Sequence, residues 1–252
     1  MSAMQASLPI QLRELKLPSF VTYYQELARR AEQGGWTFEE YLVQLTQLEI
    51  DERQQRKLLR LRRASQLPFE KTLATLDLER LPTKVRRILP TLCEGGFVER
   101  AENLLAFGLP GRGKSHCLCA IAHELVQRGS KVLFTPAYRL VQRLLIAKRD
   151  LALDAELRRL DGFDAVLVDD IGYVQQDREE MEVLFTFLAE RYERKSVMIT
   201  SNLVFSQWDQ IFKNPMTTAA AIDRLVHHAV ILEMTGPSIR SEQAVAKAAN
   251  PS

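Results

Sequence analysis

The eight residues Gly108-Leu109-Pro110-Gly111-Arg112-Gly113-Lys114-Ser115 constrain this chain more than any other stretch. They read G-x-x-x-x-G-K-S, and their flanks supply the context that pattern requires. Asn103 to Phe107 is a short apolar run suited to a buried strand, and Cys117 to Gln127 carries helix formers and no proline. A strand that enters a glycine loop and leaves as a helix turns several backbone N–H groups onto one point. The helix adds its partial positive charge there, so the loop is expected to cradle phosphate oxygens. Lys114 then reaches the outer phosphates, and the Ser115 hydroxyl is placed for Mg²⁺. Gly108, Gly111 and Gly113 supply the close backbone approach. Pro110, Arg112 and His116, within or just after the loop, are counted with the nucleotide-binding residues.

Such a loop needs a metal-holding carboxylate at a neighbouring strand end. Ala165-Val166-Leu167-Val168-Asp169-Asp170 provides four apolar residues closing in two acids. In a parallel sheet, ligands sit beyond the carboxyl ends of the strands, so both acids are expected to project toward the loop. Asp169 is expected to hold Mg²⁺, directly or through water, and Asp170 to orient or deprotonate an attacking water. A later strand ends in Thr200-Ser201-Asn202, where the Asn202 amide is placed to hydrogen-bond that water or the outermost phosphate. Asp223-Arg224 lies near the end of the last main helix. Arg224 reads either as a surface charge or as an arginine finger offered to a neighbouring subunit.

From Asn103 onward, strand and helix patterns alternate. Strands are expected at Leu104–Phe107, Val132–Thr135, Ala165–Asp169, Val197–Ser201 and Val230–Glu233. Helices are expected at Lys114–Gln127, Tyr138–Lys148, Asp154–Leu160, Arg178–Arg194 and Thr217–His228. That alternation predicts an α/β fold, a parallel five-stranded sheet sandwiched by helices. Residues 1 to 66 read as an all-helical N-terminal adaptor domain, 67–81 as a linker and 82–252 as the nucleotide-binding domain. Within the first region Pro18 is expected to break the leading helical run and Gly34-Gly35 to end it. Thr37 and Glu40 then form a capping box for the next helix. The far end of that helix carries Arg53, Arg56, Lys57, Arg60, Arg62 and Arg63, either a solvated surface or a phosphate-binding arm.

With 46% hydrophobic and 26% charged residues, the chain has the composition of a soluble globular protein. No apolar run approaches membrane-spanning length, and Met1 to Leu8 lacks the layout of a signal peptide. Three cysteines, an odd number, argue against a disulfide framework and for the reducing cytoplasm. Cys117 and Cys119 read as core residues rather than metal ligands.

Taken together, G-L-P-G-R-G-K-S, V-L-V-D-D-I-G-Y, R-Y-E-R-K-S-V-M-I-T-S-N, F-S-Q-W and A-I-D-R-L-V-H-H-A-V-I-L-E resemble the IstB family. The resemblance runs through nearly the whole chain, from L-P-I-Q-L-R-E-L-K-L-P to the terminal G-P-S-I-R. These are AAA+ ATPases encoded beside the transposase in bacterial insertion sequences, and they are similar to the helicase loader DnaC. The resemblance implies a protein that hydrolyses ATP with Mg²⁺, forms a homo-oligomer on double-stranded DNA, deforms the duplex, and recruits and stimulates the transposase encoded by the same element. It gives Gly108, Gly111, Gly113, Lys114 and Ser115 the Walker A role, Asp169 and Asp170 the Walker B role, and Asn202 that of first sensor. Arg224 takes the trans-acting finger position, and Arg240 is carried as a second sensor. Arg112 departs from the family's usual Thr, and Asp170 from the longer Glu common in AAA+ proteins.

Residues 138–160 occupy the place of the helical insertion in the initiator-like branch. The resemblance therefore puts a DNA path along Arg139, Arg143, Lys148 and Arg149, with Tyr173 and Arg178 in the loop after Asp170. The rival function is a replicative helicase loader of the DnaC type, separated by its preference for single strands. A small-molecule kinase also uses a P-loop, but no arginine-rich substrate lid is evident.

Overall fold

The computed structural model describes residues 3–173, 178–208 and 215–235. Residues 1–60 make one compact unit and residues 61–252 a second.

In the first unit, α1 (Ala3–Glu14) and α2 (Pro18–Gly34) are separated where Pro18 opens α2 as its first residue. Proline suits that position because its missing N–H would have no helical partner there. Gly35, at φ 61°, caps α2 and returns its N–H to the Ala31 carbonyl. The helix α3 (Phe38–Ser65) begins with the reciprocal pair that the sequence predicts. Glu40 accepts the Thr37 N–H at 2.7 Å, and Thr37 Oγ1 accepts the Glu40 N–H at 3.1 Å. Further along α3, the buried Glu49 accepts the Ser19 N–H at 2.8 Å and the Arg53 Nε at 2.6 Å. One carboxylate thereby satisfies an orphan donor in the first turn of α2 and fixes it to α3. Lys57, Arg60, Arg62 and Arg63 are exposed.

The division falls inside α3, between Arg60 and Leu61, ahead of the boundary expected at residue 66. Leu61 is buried with the apolar residues of the second unit, which draws the last turns of α3 into it. The stretch read as a linker also packs there. It forms short 3-10 turns at Leu73–Thr75 and Leu78–Arg80 and buries Leu76 and Leu81. The helix α4 (Thr83–Glu94) and the single turn α5 (Gly96–Glu99) follow.

The strands are β1 (Asn103–Phe107), β2 (Val132–Pro136), β3 (Ala165–Asp169), β4 (Ser196–Ser201) and β5 (Ala229–Glu233). Between them run α6 (Lys114–Gln127), α7 (Ala137–Arg149), α8 (Leu153–Asp161), α9 (Arg178–Arg191) and α10 (Pro215–Val226). The strands form one parallel sheet in the order β2-β3-β4-β1-β5. Both faces are covered, so the strands read as continuous apolar runs rather than alternating ones. Leu104, Ala106, Ala165, Leu167 and Met198 pack with α4 and α6, while Leu105, Phe107, Val166, Val168 and Ile199 pack with α7, α9 and α10. Each buried leucine or valine contributes about 1.5–3 kcal/mol of transfer free energy.

Two buried polar residues tie the sheet's lower edge. Asn103 donates to the Leu225 carbonyl at 3.1 Å and accepts the Val197 N–H at 2.9 Å. Arg191, 1% exposed, donates to the carbonyls of Leu160, Phe163 and Ser196. Burial lowers its pKa to about 10, so it still carries its charge at neutral pH, shared among those carbonyls and nearby Asp161. Cys93, Cys117 and Cys119 are free and buried; burial pushes Cys117 and Cys119 up to about 12, which keeps them protonated and inert. No described helix is long and apolar enough to cross a membrane.

Candidate nucleotide site

The phosphate loop joins β1 to α6 and depends on backbone conformations that glycine favours. Gly111 and Gly113 have φ of 81° and 79°, and Gly113 is the residue from which α6 starts. Successive turns of this kind aim N–H groups into one concavity, where the orphan donors of the helix start add to them. Gly108, at φ 152°, lies so close to Met234 that a Cβ would run into the Met234 carbonyl. The loop is thereby wedged against the chain leaving β5.

Lys114 is 6% exposed and donates to the carbonyls of Gly108 at 2.6 Å and Leu109 at 3.0 Å. The ammonium thus spans the mouth of the loop from the helix side, held by the loop's own backbone. Ser115 is half-buried in the first turn of α6, and Pro110 is exposed at the loop tip. Arg112, counted with the nucleotide-binding residues, donates from Nη1 to the Met234 carbonyl at 3.4 Å. His116 is engaged elsewhere, its Nε2 3.1 Å from Thr75 Oγ1 and 3.2 Å from the Thr72 carbonyl.

Strand register brings the acidic pair to the same rim. Val168 pairs with Ile199, so Asp169 stands level with Thr200, which pairs with Ala106 of β1. Asp169 is therefore two strand spacings from β1, roughly 10 Å. It continues the alternation of Ala165 and Leu167 and so lies on the face covered by α6. The Thr200 hydroxyl donates to Asp169 Oδ1 at 2.6 Å and accepts the Asp170 N–H at 2.8 Å. Asp170 has φ 59°, a left-handed conformation that costs an L-residue roughly 1–2 kcal/mol. The bond from its N–H to Thr200 helps hold it there.

Asn202 follows the end of β4, and its Oδ1 is buried without a hydrogen-bond partner among the described residues. A Cβ on Gly172 would collide with that oxygen, so Gly172 leaves the space the amide occupies. A pocket of about 430 Å³ opens beside the loop, lined by Gly108, Leu109, Arg112, Asn202, Glu233 and Met234 among others. Arg224 lies in the last turn of α10 with its guanidinium 4.7 Å from the Phe185 ring centroid and Nη1 buried without a hydrogen-bond partner among the described residues. Arg240 lies outside the described residues, as does the side chain of Tyr173.

The basic residues assigned to a DNA path divide. Arg139 and Arg178 are exposed, and so is Arg149, whose Nε lies 3.8 Å from Asp150 Oδ1. Arg143 is ion-paired with Glu156 at 2.6 Å and Lys148 with Glu182 at 3.0 Å, which lowers the charge those positions offer a phosphate. Thr200 and Gly172 are the residues that sequence reading passed over. Both stand beside residues singled out, Thr200 two places before Asn202 and Gly172 two after Asp170, but only the pairing of β3 with β4 reveals their contacts.

The donor set fits a magnesium nucleotide. A serine hydroxyl and a strand-end carboxylate are hard oxygen ligands of the kind Mg²⁺ takes, beside a backbone concavity for phosphate.

Residues 10–247 match the family model described as IstB-like ATP binding protein. A putative insertion sequence ATP-binding protein of Sinorhizobium fredii is 38% identical over 242 residues, covering 96% of this chain and 81% of that protein. The insertion sequence IS21 putative ATP-binding protein of Pseudomonas aeruginosa is 33% identical, covering 94% and 89%. Among solved structures, DnaI superposes with a TM-score of 0.55 at 24% identity, covering 70% of this chain and 95% of that one. The DnaC helicase loader gives 0.56 at 14% identity, covering 66% and 98%. These likenesses establish the P-loop AAA+ fold.

Proposed function

Because this chain belongs to the IstB-like ATP binding protein family, we propose that it is an ATP-hydrolysing regulator of transposition, one that assembles on double-stranded DNA and there engages a transposase. The observation that carries this reading is the bridge from Thr200 to both Asp169 and Asp170, on the rim where Lys114 spans the phosphate loop. In it, the loop N–H groups and Lys114 bind the phosphates, and nucleotide arrival exchanges the Gly108 and Leu109 carbonyls for phosphate oxygens around the ammonium. Ser115 and Asp169 would hold magnesium, whose chemistry there would be to neutralise charge on the outer phosphate oxygens. Asp170 takes the proton of the attacking water, and the open acceptor of Asn202 orients it.

Arg224 acts on the nucleotide of an adjoining protomer. The planar fork of a guanidinium suits phosphate, and in this role Arg224 swings off the Phe185 ring on which it rests. Nucleotide then stabilises the assembly by mass action, and hydrolysis loosens it. The relatives in Sinorhizobium fredii and Pseudomonas aeruginosa are named as ATP-binding proteins of insertion sequences, which supports transposition as the setting. Phosphate contacts from Arg139, Arg149 and Arg178 position duplex without reading its sequence.

The test is light scattering of the full chain with ATP and a duplex oligonucleotide. Wild type is expected to assemble and Lys114→Ala to remain unassembled. Full ATP-dependent assembly of Lys114→Ala contradicts the proposal. A parallel measurement at fixed salt with a matched single strand distinguishes the helicase-loader alternative, which requires single-strand preference.

A further inference from the structure

On the rim opposite the phosphate loop, four side chains with metal-binding or hydrogen-bonding chemistry converge. Tyr192 and Glu193 lie between α9 and β4; His227 and His228 form the turn between α10 and β5. The turn is fixed by its backbone: the His227 N–H donates to the Asp223 carbonyl at 2.9 Å, and the His228 carbonyl accepts the Asn103 N–H at 2.7 Å. The side chains are about half exposed, 53% for each histidine and 54% for Glu193.

His227 Nδ1 lies 3.7 Å and His228 Nε2 3.8 Å from the same oxygen, Glu193 Oε1. Those separations are beyond hydrogen-bond reach. They are close to the ligand-to-ligand edge of about 3.4 Å that bonds of about 2.0–2.1 Å generate around a tetrahedral zinc. The three ligand atoms lie within 4.8 Å of one another, and the imidazole centroids are 4.1 Å apart. The Tyr192 hydroxyl is 2.9 Å from His227 Nδ1. A metal at Nδ1 takes the single lone pair that this hydroxyl contacts, so the phenol gives way to the ion on binding.

From this juxtaposition we propose that Glu193, His227 and His228 form a site for a divalent transition metal of the zinc class. Two imidazoles and one carboxylate select such an ion over Mg²⁺ or Ca²⁺, which take all-oxygen surroundings. Three protein ligands leave a fourth position open to water, in keeping with the exposed setting. The ion clips the turn before β4 to the turn before β5, the two strands that flank β1. It also closes off the end of α10, where Arg224 lies three residues ahead of His227. The site shares no residue with the phosphate loop, so it stands or falls independently of the ATP-dependent function.

The full chain, freed of metal with a chelator, is titrated with Zn²⁺ alone against a chromogenic competitor while thermal unfolding is followed. The expected result is one equivalent of Zn²⁺ per chain and a rise in Tm. Both are lost in the His227→Asn/His228→Asn double variant, and Glu193→Gln, which replaces an anionic ligand by a neutral one, weakens binding. Co²⁺ is expected to give a tetrahedral spectrum without thiolate charge transfer, setting the site apart from the buried cysteines. An absence of stoichiometric binding, retention of the full equivalent in the double variant, or a thiolate spectrum overturns the assignment.

Discussion

The Thr200 hydroxyl reaches across from β4 to Asp169 at the end of β3, donating to Oδ1 at 2.6 Å. Thr200 Oγ1 in turn accepts the Asp170 N–H at 2.8 Å. One side chain thereby sets the direction of one carboxylate and the backbone of the next, so the two acids are held together through Thr200.

Thr200→Val keeps the shape and removes both hydrogen bonds. The loss leaves Asp169 Oδ1 and the Asp170 N–H short of a partner, and stability is expected to fall by about 1–3 kcal/mol. ATP turnover falls more than nucleotide affinity, and Thr200→Ser restores most of it. Urea unfolding and steady-state ATP hydrolysis measure the two effects; unchanged turnover in Thr200→Val refutes the role given to the bridge.

Asp170→Asn keeps a side chain that tolerates φ 59° while removing the base. Assembly with ATP is expected to survive and turnover to drop by about 10²–10⁴-fold, the contribution typical of a general base. Single-turnover hydrolysis beside light scattering separates the two. Wild-type turnover in this variant removes Asp170 from the chemistry.

Gly172→Ala pushes a methyl group into Asn202 Oδ1. The amide must move, so kcat is expected to fall while a fluorescent ATP analogue binds as before. Gly108→Ala strikes the Met234 carbonyl, which is backbone and has less freedom to yield. Its expected signature is a lowered Tm together with loss of nucleotide binding, both accessible by calorimetry.

Acid is expected to loosen the first unit through Glu49. Burial alone pushes this carboxyl up, but its hydrogen bonds from Arg53 and Ser19 outweigh that, and its pKa lies below the ordinary 4.5. A carboxyl with a depressed folded-state value contributes stability that is complete above the unfolded value and lost as pH falls through the folded one. Helical circular dichroism is therefore expected to decline below about pH 4.5. Glu49→Gln should lower stability at pH 7 and flatten that acid limb. An identical acid profile in the variant argues against this origin.

Much of the fold is visible in local patterning. The five strands begin and end within a residue of the apolar runs that mark them, and α6 spans the expected Lys114–Gln127. Continuous apolar runs and intervening helical periods are local signals, so no long-range information is needed to read them. Partners of long polar side chains were not legible. Arg112 ends on Met234, His116 on Thr72 and Thr75, and Arg143 on Glu156, each across a separation the linear chain does not display. The Glu193, His227 and His228 cluster belongs with these, since His-His gives no hint of a carboxylate 34 residues upstream of it.

By itself the sequence determined the glycine loop, the two acids closing an apolar strand, and the parallel α/β class, because each is written in residues adjacent along the chain. Only the tertiary structure decided that Thr200 binds both acids, that residues 61–81 belong to the second unit, and that Lys114 rests on its own loop. Strand order is the physical reason. Placing β4 between β3 and β1 sets Thr200 beside Asp169, and no local propensity encodes which strand lies next to which.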